Sequence, residues 1–295
     1  MATPQGSAPS NASQGASRLR QAVERDGYVV VPAVVPAPLR AAVVADIYAH
    51  VGANPADPAT WYPAEGVSGA GMVEMHHYQS MWDTRQHPAV HAAFSEIFGT
   101  PRLWVTIDRT NFKPPADPAH PGFDSPGFIH WDTDITRYPN LHFGVQGVLA
   151  LTDTTAEMGG FQCVPEIYRE LEAYLARRRA AGVQPDQLRH VDITGYPVTP
   201  VPLRAGDLVI WSTLLPHGNG RNTSGQPRLA QYISMHPAPA EGGAAAQDRV
   251  AGWRYNRHPD HPAFPGDPRE IEEKRDHPSH LTPLGRRLLG LDPWE

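Results

Sequence analysis

From Leu103 onward the chain changes texture, and this limits what it can fold into more than any other feature. Short apolar runs, Leu103–Phe112, Gly127–Trp131, Phe143–Leu151, Asp207–Trp211 and Arg228–Met235, are separated by Pro, Gly, Asp and Asn clusters. Such runs read as strands joined by turns. The residues before them read as helices instead. Ser17–Arg25 carries Leu19 and Val23 at helical spacing and stops at Asp26-Gly27, ahead of the β-branched strand Tyr28–Val31. Pro38–Val51 places Leu39, Val43, Ile47 and Val51 at four-residue steps, and Pro88–Phe98 ends at Gly99. One helix, Glu166–Ala181, interrupts the strands. There is no βαβ rhythm with a Gly-rich phosphate loop, so a Rossmann sheet and a TIM barrel are excluded. The expected fold class is mainly β with flanking α-helices: an antiparallel barrel or double-sheet jelly roll with the helices packed outside.

The 295 residues suit one domain with a sizeable core. We expect it to run over 18–295, as a helical start (18–99), a β core (100–236) and an irregular Pro- and His-rich C-terminal wrap (237–295). Residues 1–17 carry no charge and are rich in Ser, Ala, Gly, Pro, Gln and Asn, which reads as a disordered leader. No apolar run is long enough to cross a bilayer, so no membrane partner is expected. The single cysteine, Cys163, excludes a disulfide framework and any multi-cysteine zinc module, and fits a reducing, cytoplasmic setting. A net charge of -6 opposes general nucleic-acid binding, so no nucleic acid is expected as partner. The oligomeric state leaves no mark on the sequence. Of 25 basic residues only Lys113 and Lys274 are lysine, while fifteen histidines point toward metal or acid–base chemistry.

A His-x-Asp pair on a strand can aim one imidazole and one carboxylate at a single ion, because residues i and i+2 share a face. Chance alone supplies such pairs in a histidine-rich chain, so context decides. His258/Asp260 lies in a Pro-rich loop and His190/Asp192 borders an irregular run; both read as surface or core-edge features. His130/Asp132 follows the apolar run Gly127-Phe-Ile129, where a barrel would place inward ligands. A third ligand is available in His217, at a strand end before a Gly/Asn-rich hairpin and Arg228 on the returning strand. Two His and one carboxylate leave three positions open, the facial arrangement of non-haem Fe(II) oxygenases. Arg228 would face the same cavity, able to grip a carboxylate with two parallel bonds.

The stretches Arg109-Thr-Asn-Phe-Lys-Pro114, His130-Trp-Asp132, Met158-Gly-Gly-Phe-Gln-Cys-Val-Pro165 and His217-Gly-Asn-Gly through Arg228 resemble the phytanoyl-CoA dioxygenase family of Fe(II)/2-oxoglutarate oxygenases. The resemblance implies a double-stranded β-helix, a cupin-like jelly roll, with His130, Asp132 and His217 on iron and Arg228 on the distal carboxylate of 2-oxoglutarate. It also implies Asn111 as a second cosubstrate contact, with Asn219 and Thr133 as further cosubstrate-binding positions. Fe(II), 2-oxoglutarate and O2 are then the cofactors, and succinate and CO2 the co-products. A small metabolite or natural-product intermediate would be hydroxylated, desaturated or cyclised. Halogenating relatives lack the ligand carboxylate, so Asp132 points away from halogenation. Two positions depart from the family pattern: Pro165-Glu166-Ile167-Tyr168 replaces Pro-Gly-Ser-His, and Asn219 stands where Ser is usual. The alternatives are a cupin-like protein that binds metal or ligand without turnover, and a nucleic-acid demethylase, which the charge balance opposes.

Met72–Arg85 mixes Met, Trp and Tyr with His76, His77 and Arg85, the composition of a ligand pocket wall. We expect His76, His77, Trp82 and Arg85 at the substrate mouth; the competing expectation is that Met75, Met81 and Trp82 seal the core against the outer helices. Arg177-Arg178-Arg179 ends a helix, where cations complement the dipole. Cys163 reads as a small buried hydrophobe, and His258, His261, His277 and His280 as a solvated wrap.

Overall fold

A computed structural model of the chain describes residues 17–240 and 242–295; the expected leader therefore lies almost wholly outside the described residues. Four helices come first: α1 (Arg18–Asp26), α2 (Ala37–Val51), α3 (Gln79–Arg85) and α4 (Pro88–Phe98). Ser17 caps α1 by accepting from the Arg20 amide, and Gly27, Gly52 and Gly99 end α1, α2 and α4 in the left-handed conformation. Between and after them run β1 (Tyr28–Val31), β2 (Met72–Val73), β3 (Leu103–Val105), β4 (Thr110–Lys113), β5 (Val145–Ala150), β6 (Phe161–Cys163), β7 (Thr199–Pro200), β8 (Leu208–Ser212), β9 (His217–Asn219), β10 (Arg228–Tyr232) and β11 (Met235–Pro237). The helix expected over 166–181 is broken at Glu170 into α5 (Pro165–Arg169) and α6 (Leu171–Ala180).

Every strand pairing is antiparallel. The large sheet has the order β1-β8-β5-β10-β4-β2 and the small one β7-β6-β9, with β11-β3 as a separate pair. Isolated bridges from His130 to His217 and to His190 extend the small sheet beyond β9. Val148, Ala150, Val209, Trp211 and Ala230 of the large sheet meet Phe161 and Cys163 of the small one in a shared buried cluster. The two sheets thus pack face to face. On the outer face of the large sheet a larger cluster joins Val23, Val43, Ile47, Trp82 and Phe94 of the helical start to Phe112, Leu208, Leu229, Leu288 and Leu289.

Three expectations need correction. Leu103–Phe112 and Arg228–Met235 each break into two strands, β3 and β4, and β10 and β11, which pair in different sheets. Gly127–Trp131 is not a regular strand; only His130 pairs, because Gly127 takes φ +75° and its Cα sits against the Asn219 carbonyl, where a Cβ would lie 1.7 Å from that oxygen. The C-terminal segment is not wholly irregular: α7 (Gly243–Arg254) and α8 (Pro283–Leu289) lie within it. Its Pro and His content masked the Ala-rich stretch Ala244–Ala251, a strong helix former.

Candidate metal centre

His130 and His217 are direct cross-strand partners. Each amide donates to the other's carbonyl, at 2.9 and 3.1 Å, so their rings stand side by side with centroids 4.9 Å apart. Asp132, two residues on and in a bend, points back at both: Oδ1 is 3.3 Å from His130 Nε2 and Oδ2 is 3.4 Å from His217 Nε2. The ligand atoms of the three residues lie within 4.8 Å of one another, and no other such grouping exists among the described residues. Neither the His258/Asp260 nor the His190/Asp192 pair forms such a grouping; Asp192 serves Arg178 and the Thr194 amide.

The surroundings fix each ligand. His217 Nδ1 lies 2.9 Å from the Leu215 carbonyl and His130 Nδ1 3.3 Å from that of Phe128. A carbonyl can only accept, so Nδ1 is each ring's donor toward the backbone, and Nε2 is the atom turned to Asp132. His217 is wedged against the Phe161 and Trp211 rings. Burial alone would raise the Asp132 carboxyl. Hydrogen bonds with His130, His217 and Gln146 outweigh it and hold the group far below the ordinary carboxylate range. A carboxylate between two imidazole Nε2 atoms, each able to give up its proton to a metal, is a donor set that suits a divalent cation.

This trio opens on a cavity of about 270 Å³, also lined by Met72, Arg109, Lys113, Gln146, Asn219 and Tyr232. Gly218 lets the 127–130 segment cross close to the hairpin: a Cβ there would lie 2.2 Å from the Phe128 carbonyl. Phe128 itself is 71% exposed at the mouth, its ring 4.5 Å from that of His130. Asn219 reaches the cavity and donates to the Tyr232 hydroxyl at 2.9 Å.

Arg228 and Asn111 sit one layer behind the wall. Cross-strand neighbours in the β10–β4 pairing, they are 1% and 0% exposed, and Arg228 Nη1 donates to Asn111 Oδ1 at 2.9 Å. Arg228 Nε has no partner among the described residues. Lys113, opposite Arg228 in the register, does reach the cavity and donates to the Ser125 and Gly220 carbonyls. Burial, aided by the Arg228 charge, pulls the Lys113 ammonium down to about 8. Neither cation has an ion-pair partner among the described residues, which leaves two buried positive charges beside the trio. Thr133 is half-buried and does not line the cavity.

The residues expected at the substrate mouth lie away from the metal cavity, although His77 lines a second, larger cavity. His76, His77, Trp82 and Arg85 are at most 2% exposed and do not line the metal cavity; only Met72 of that segment does. The segment is held by the C-terminal wrap: the Glu272 carboxylate accepts from the His76 and His77 amides, and His77 Nε2 lies 3.0 Å from the Arg257 carbonyl. Arg85 donates to the His76 and Asp108 carbonyls, and Trp82 belongs to the outer core. The sequence reading missed Gln146, whose amide meets Asp132, because nothing local in Val145-Gln-Gly-Val marks it. Lys113 was visible only as a rare lysine.

The family model for phytanoyl-CoA dioxygenase matches residues 23–230. The chain belongs to the phytanoyl-CoA dioxygenase family. A Dictyostelium discoideum protein named for phytanoyl-CoA dioxygenase is 25% identical over 184 residues, 52% of each chain. Ava biosynthesis cluster protein O of Aspergillus versicolor is 22% identical over 214 residues, 64% of this chain and 65% of that one. The chain thus aligns with about half to two thirds of these relatives' lengths. Among solved structures, an Escherichia coli protein superposes with a TM-score of 0.67 at 18% identity, over 92% of this chain and 81% of its own. SnoN, a non-heme α-ketoglutarate-dependent epimerase from nogalamycin biosynthesis, superposes with a TM-score of 0.54 at 23% identity, over 79% of this chain and 88% of SnoN. A second SnoN structure holds Fe3+, α-ketoglutarate and nogalamycin RO. These likenesses establish the fold. Among the described residues, no helix is long and apolar enough to cross a membrane.

Proposed function

We propose that this family member is an Fe(II)/2-oxoglutarate-dependent oxygenase with a double-stranded β-helix core, acting by hydroxylation, desaturation or cyclisation on a small metabolite or natural-product intermediate. One observation carries the reading: a His130–Asp132–His217 trio lies beside two buried cations, Lys113 and Arg228, that form no ion pair among the described residues, with only the more distant Asp124 charge acting on Lys113. Buried charges without counter-charges are costly, so a site that keeps two of them is matched to an incoming anion. A dicarboxylate that reaches the metal with one end would meet these cations with the other.

When bound, iron and 2-oxoglutarate supply the two-electron oxidation of a C–H bond, coupled to decarboxylation of the cosubstrate to succinate and CO2. The rest is work for this chain's side chains. His130, Asp132 and His217 hold the metal from one side and leave the other open. Arg228, oriented by Asn111, and Lys113 bind and align the distal carboxylate; Asn219 and Tyr232 offer hydrogen bonds along its length. Trp211 and Phe161 keep water away from His217.

The test is succinate formation under air with Fe(II) and a metabolite panel. Turnover should vanish with a chelator, return with Fe(II) and not with Zn(II), which has no redox chemistry. Arg228→Ala should weaken 2-oxoglutarate binding by about 2–5 kcal/mol while sparing metal affinity. Binding of iron or 2-oxoglutarate without any succinate would favour the non-catalytic cupin-like alternative.

A further inference from the structure

A cavity of about 1260 Å³ lies between α7, the 257–273 segment and the Thr106–Ile107 approach to β4. The metal cavity, at about 270 Å³, is smaller than the roughly 300–1,000 Å³ usual for small-molecule sites. A metal and its cosubstrate would fill most of it, so the oxidised molecule must extend elsewhere. The two cavities share one side-chain wall. Arg109 lines the metal cavity and its guanidinium lies 4.5 Å from the ring of Phe264, which lines the larger one. Arg109 also pairs with Glu74, which accepts from the Gly266 amide at 3.3 Å. Because the contacts across this divider are made by side chains, rotamer changes at Phe264 and Arg109 would be enough to join the cavities without moving a strand.

The lining defines what fits. Ile107, Ala251 and Phe264 supply apolar surface, while Asp248, Asp260 and Glu273 have no ion-pair partner among the described residues. Arg249 also lines the cavity and keeps its charge, its guanidinium donating to the Val105, Leu288 and Leu289 carbonyls. Arg249 and Arg257 together face five lining carboxylates, those of Asp248, Asp260, Asp267, Glu270 and Glu273. A cleft lined mainly by one sign of charge concentrates ligands of the other.

We infer that this larger cavity is the substrate chamber, that Arg109 and Phe264 form its gate to the metal, and that it takes a partly apolar amine rather than a polyanionic coenzyme A thioester. The inference rests on the oxygenase reading above, and the experiment separates the two.

Protein loaded with redox-silent Co(II) and 2-oxoglutarate is titrated by calorimetry with the matched probes tryptamine and indole-3-acetate. Tryptamine should bind at least about tenfold tighter, with the advantage shrinking at high salt. Ala251→Trp, which fills the chamber, should abolish tryptamine binding in a variant that melts cooperatively. Asp248→Asn with Asp260→Asn, which keeps the packing, should remove most of the preference. With Fe(II), palmitoyl-CoA should not stimulate succinate formation. No measurable tryptamine binding, equal affinity for the two probes, indifference to both sets of substitutions, or stimulation by palmitoyl-CoA would each overturn the inference. If Co(II) fails to bind the wild type, the oxygenase reading falls too; if Co(II) and 2-oxoglutarate bind normally, only the chamber assignment falls.

Discussion

Gln146 Nε2 donates to Asp132 Oδ2 across 2.7 Å, while Gln146 Oε1 accepts from Trp211 Nε1 at 3.1 Å. An indole N–H can only donate, so Trp211 claims the amide oxygen and turns the NH2 group toward the carboxylate. The β5–β8 register sets Gln146 directly opposite Trp211. Asp132 sits in a bend with its side chain 46% exposed, so no strand holds its carboxylate; this relay does.

Gln146→Leu should therefore weaken Co(II) or Fe(II) binding by about 10–100-fold, the usual effect of removing a partner that orients a metal ligand. Trp211→Phe, which deletes only the N–H donor, should fall between that variant and wild type, because the amide is then free to flip. Metal titrations paired with melting of the metal-free proteins decide the matter. A loss of metal affinity that merely tracks lost stability would reduce Gln146 to a packing residue.

Packing, in turn, is the role of Trp82 within the Met72–Arg85 segment. Trp82→Ala should cost about 3–5 kcal/mol of stability, since its fully buried indole joins α3 to the outer core. Protein that still folds should keep its metal affinity. Denaturant melts and a Co(II) titration measure the two quantities; a stable Trp82→Ala protein with altered substrate response would restore the mouth assignment.

What the sequence revealed and concealed follows from how local each signal is. His130 and Asp132 lie two residues apart, and His217 and Arg228 flank one hairpin, so residue spacing alone exposed them. Gln146 acts through a register between strands more than sixty residues apart, Gln146↔Trp211, which no local pattern carries. Met72–Arg85 reads as a single pocket wall because buried and ligand-facing walls share a composition; what keeps most of it out of the metal cavity is the cover supplied by Glu272 and Ser279, some two hundred residues away. Gly127–Trp131 read as a strand because apolar runs do not report the positive φ at Gly127 that prevents regular pairing.

Glu272 makes that cover pH-sensitive. Burial raises its carboxyl to about 7, although the His76 and His77 amides and the charges of Arg275 and Arg85 pull the other way. A carboxyl raised above its unfolded value takes up a proton on folding. Its contribution is therefore fully present below about pH 4.5 and is lost as pH rises through about 7, by on the order of 3 kcal/mol. Glu272→Gln removes the titration and should flatten the dependence of stability on pH between about 5 and 8. Urea melts at several pH values show this; parallel slopes in the two proteins would mean that another group sets the trend.

Lys113 works in the opposite sense, and its titration reads out cosubstrate binding. Its ammonium is depressed to about 8, by burial first and the Arg228 charge second. Between about 8 and 10.5 the folded chain binds fewer protons than the unfolded one, so the cost of burying this charge is greatest at neutral pH and is relieved as pH rises. An incoming dicarboxylate uses that charge. The Arg228 guanidinium supplies a further attraction, but the share from Lys113 should fade above about pH 8. The 2-oxoglutarate affinity of the Co(II)-loaded protein should then fall from neutral to alkaline pH. Lys113→Met should show the weaker affinity already at neutral pH, with no further decline up to about pH 9, and its unliganded form should melt higher than wild type. Calorimetric titrations across this range measure the affinity. A Lys113→Met protein that binds as tightly as wild type at neutral pH, or keeps the wild-type slope, would place the distal carboxylate on Arg228 alone.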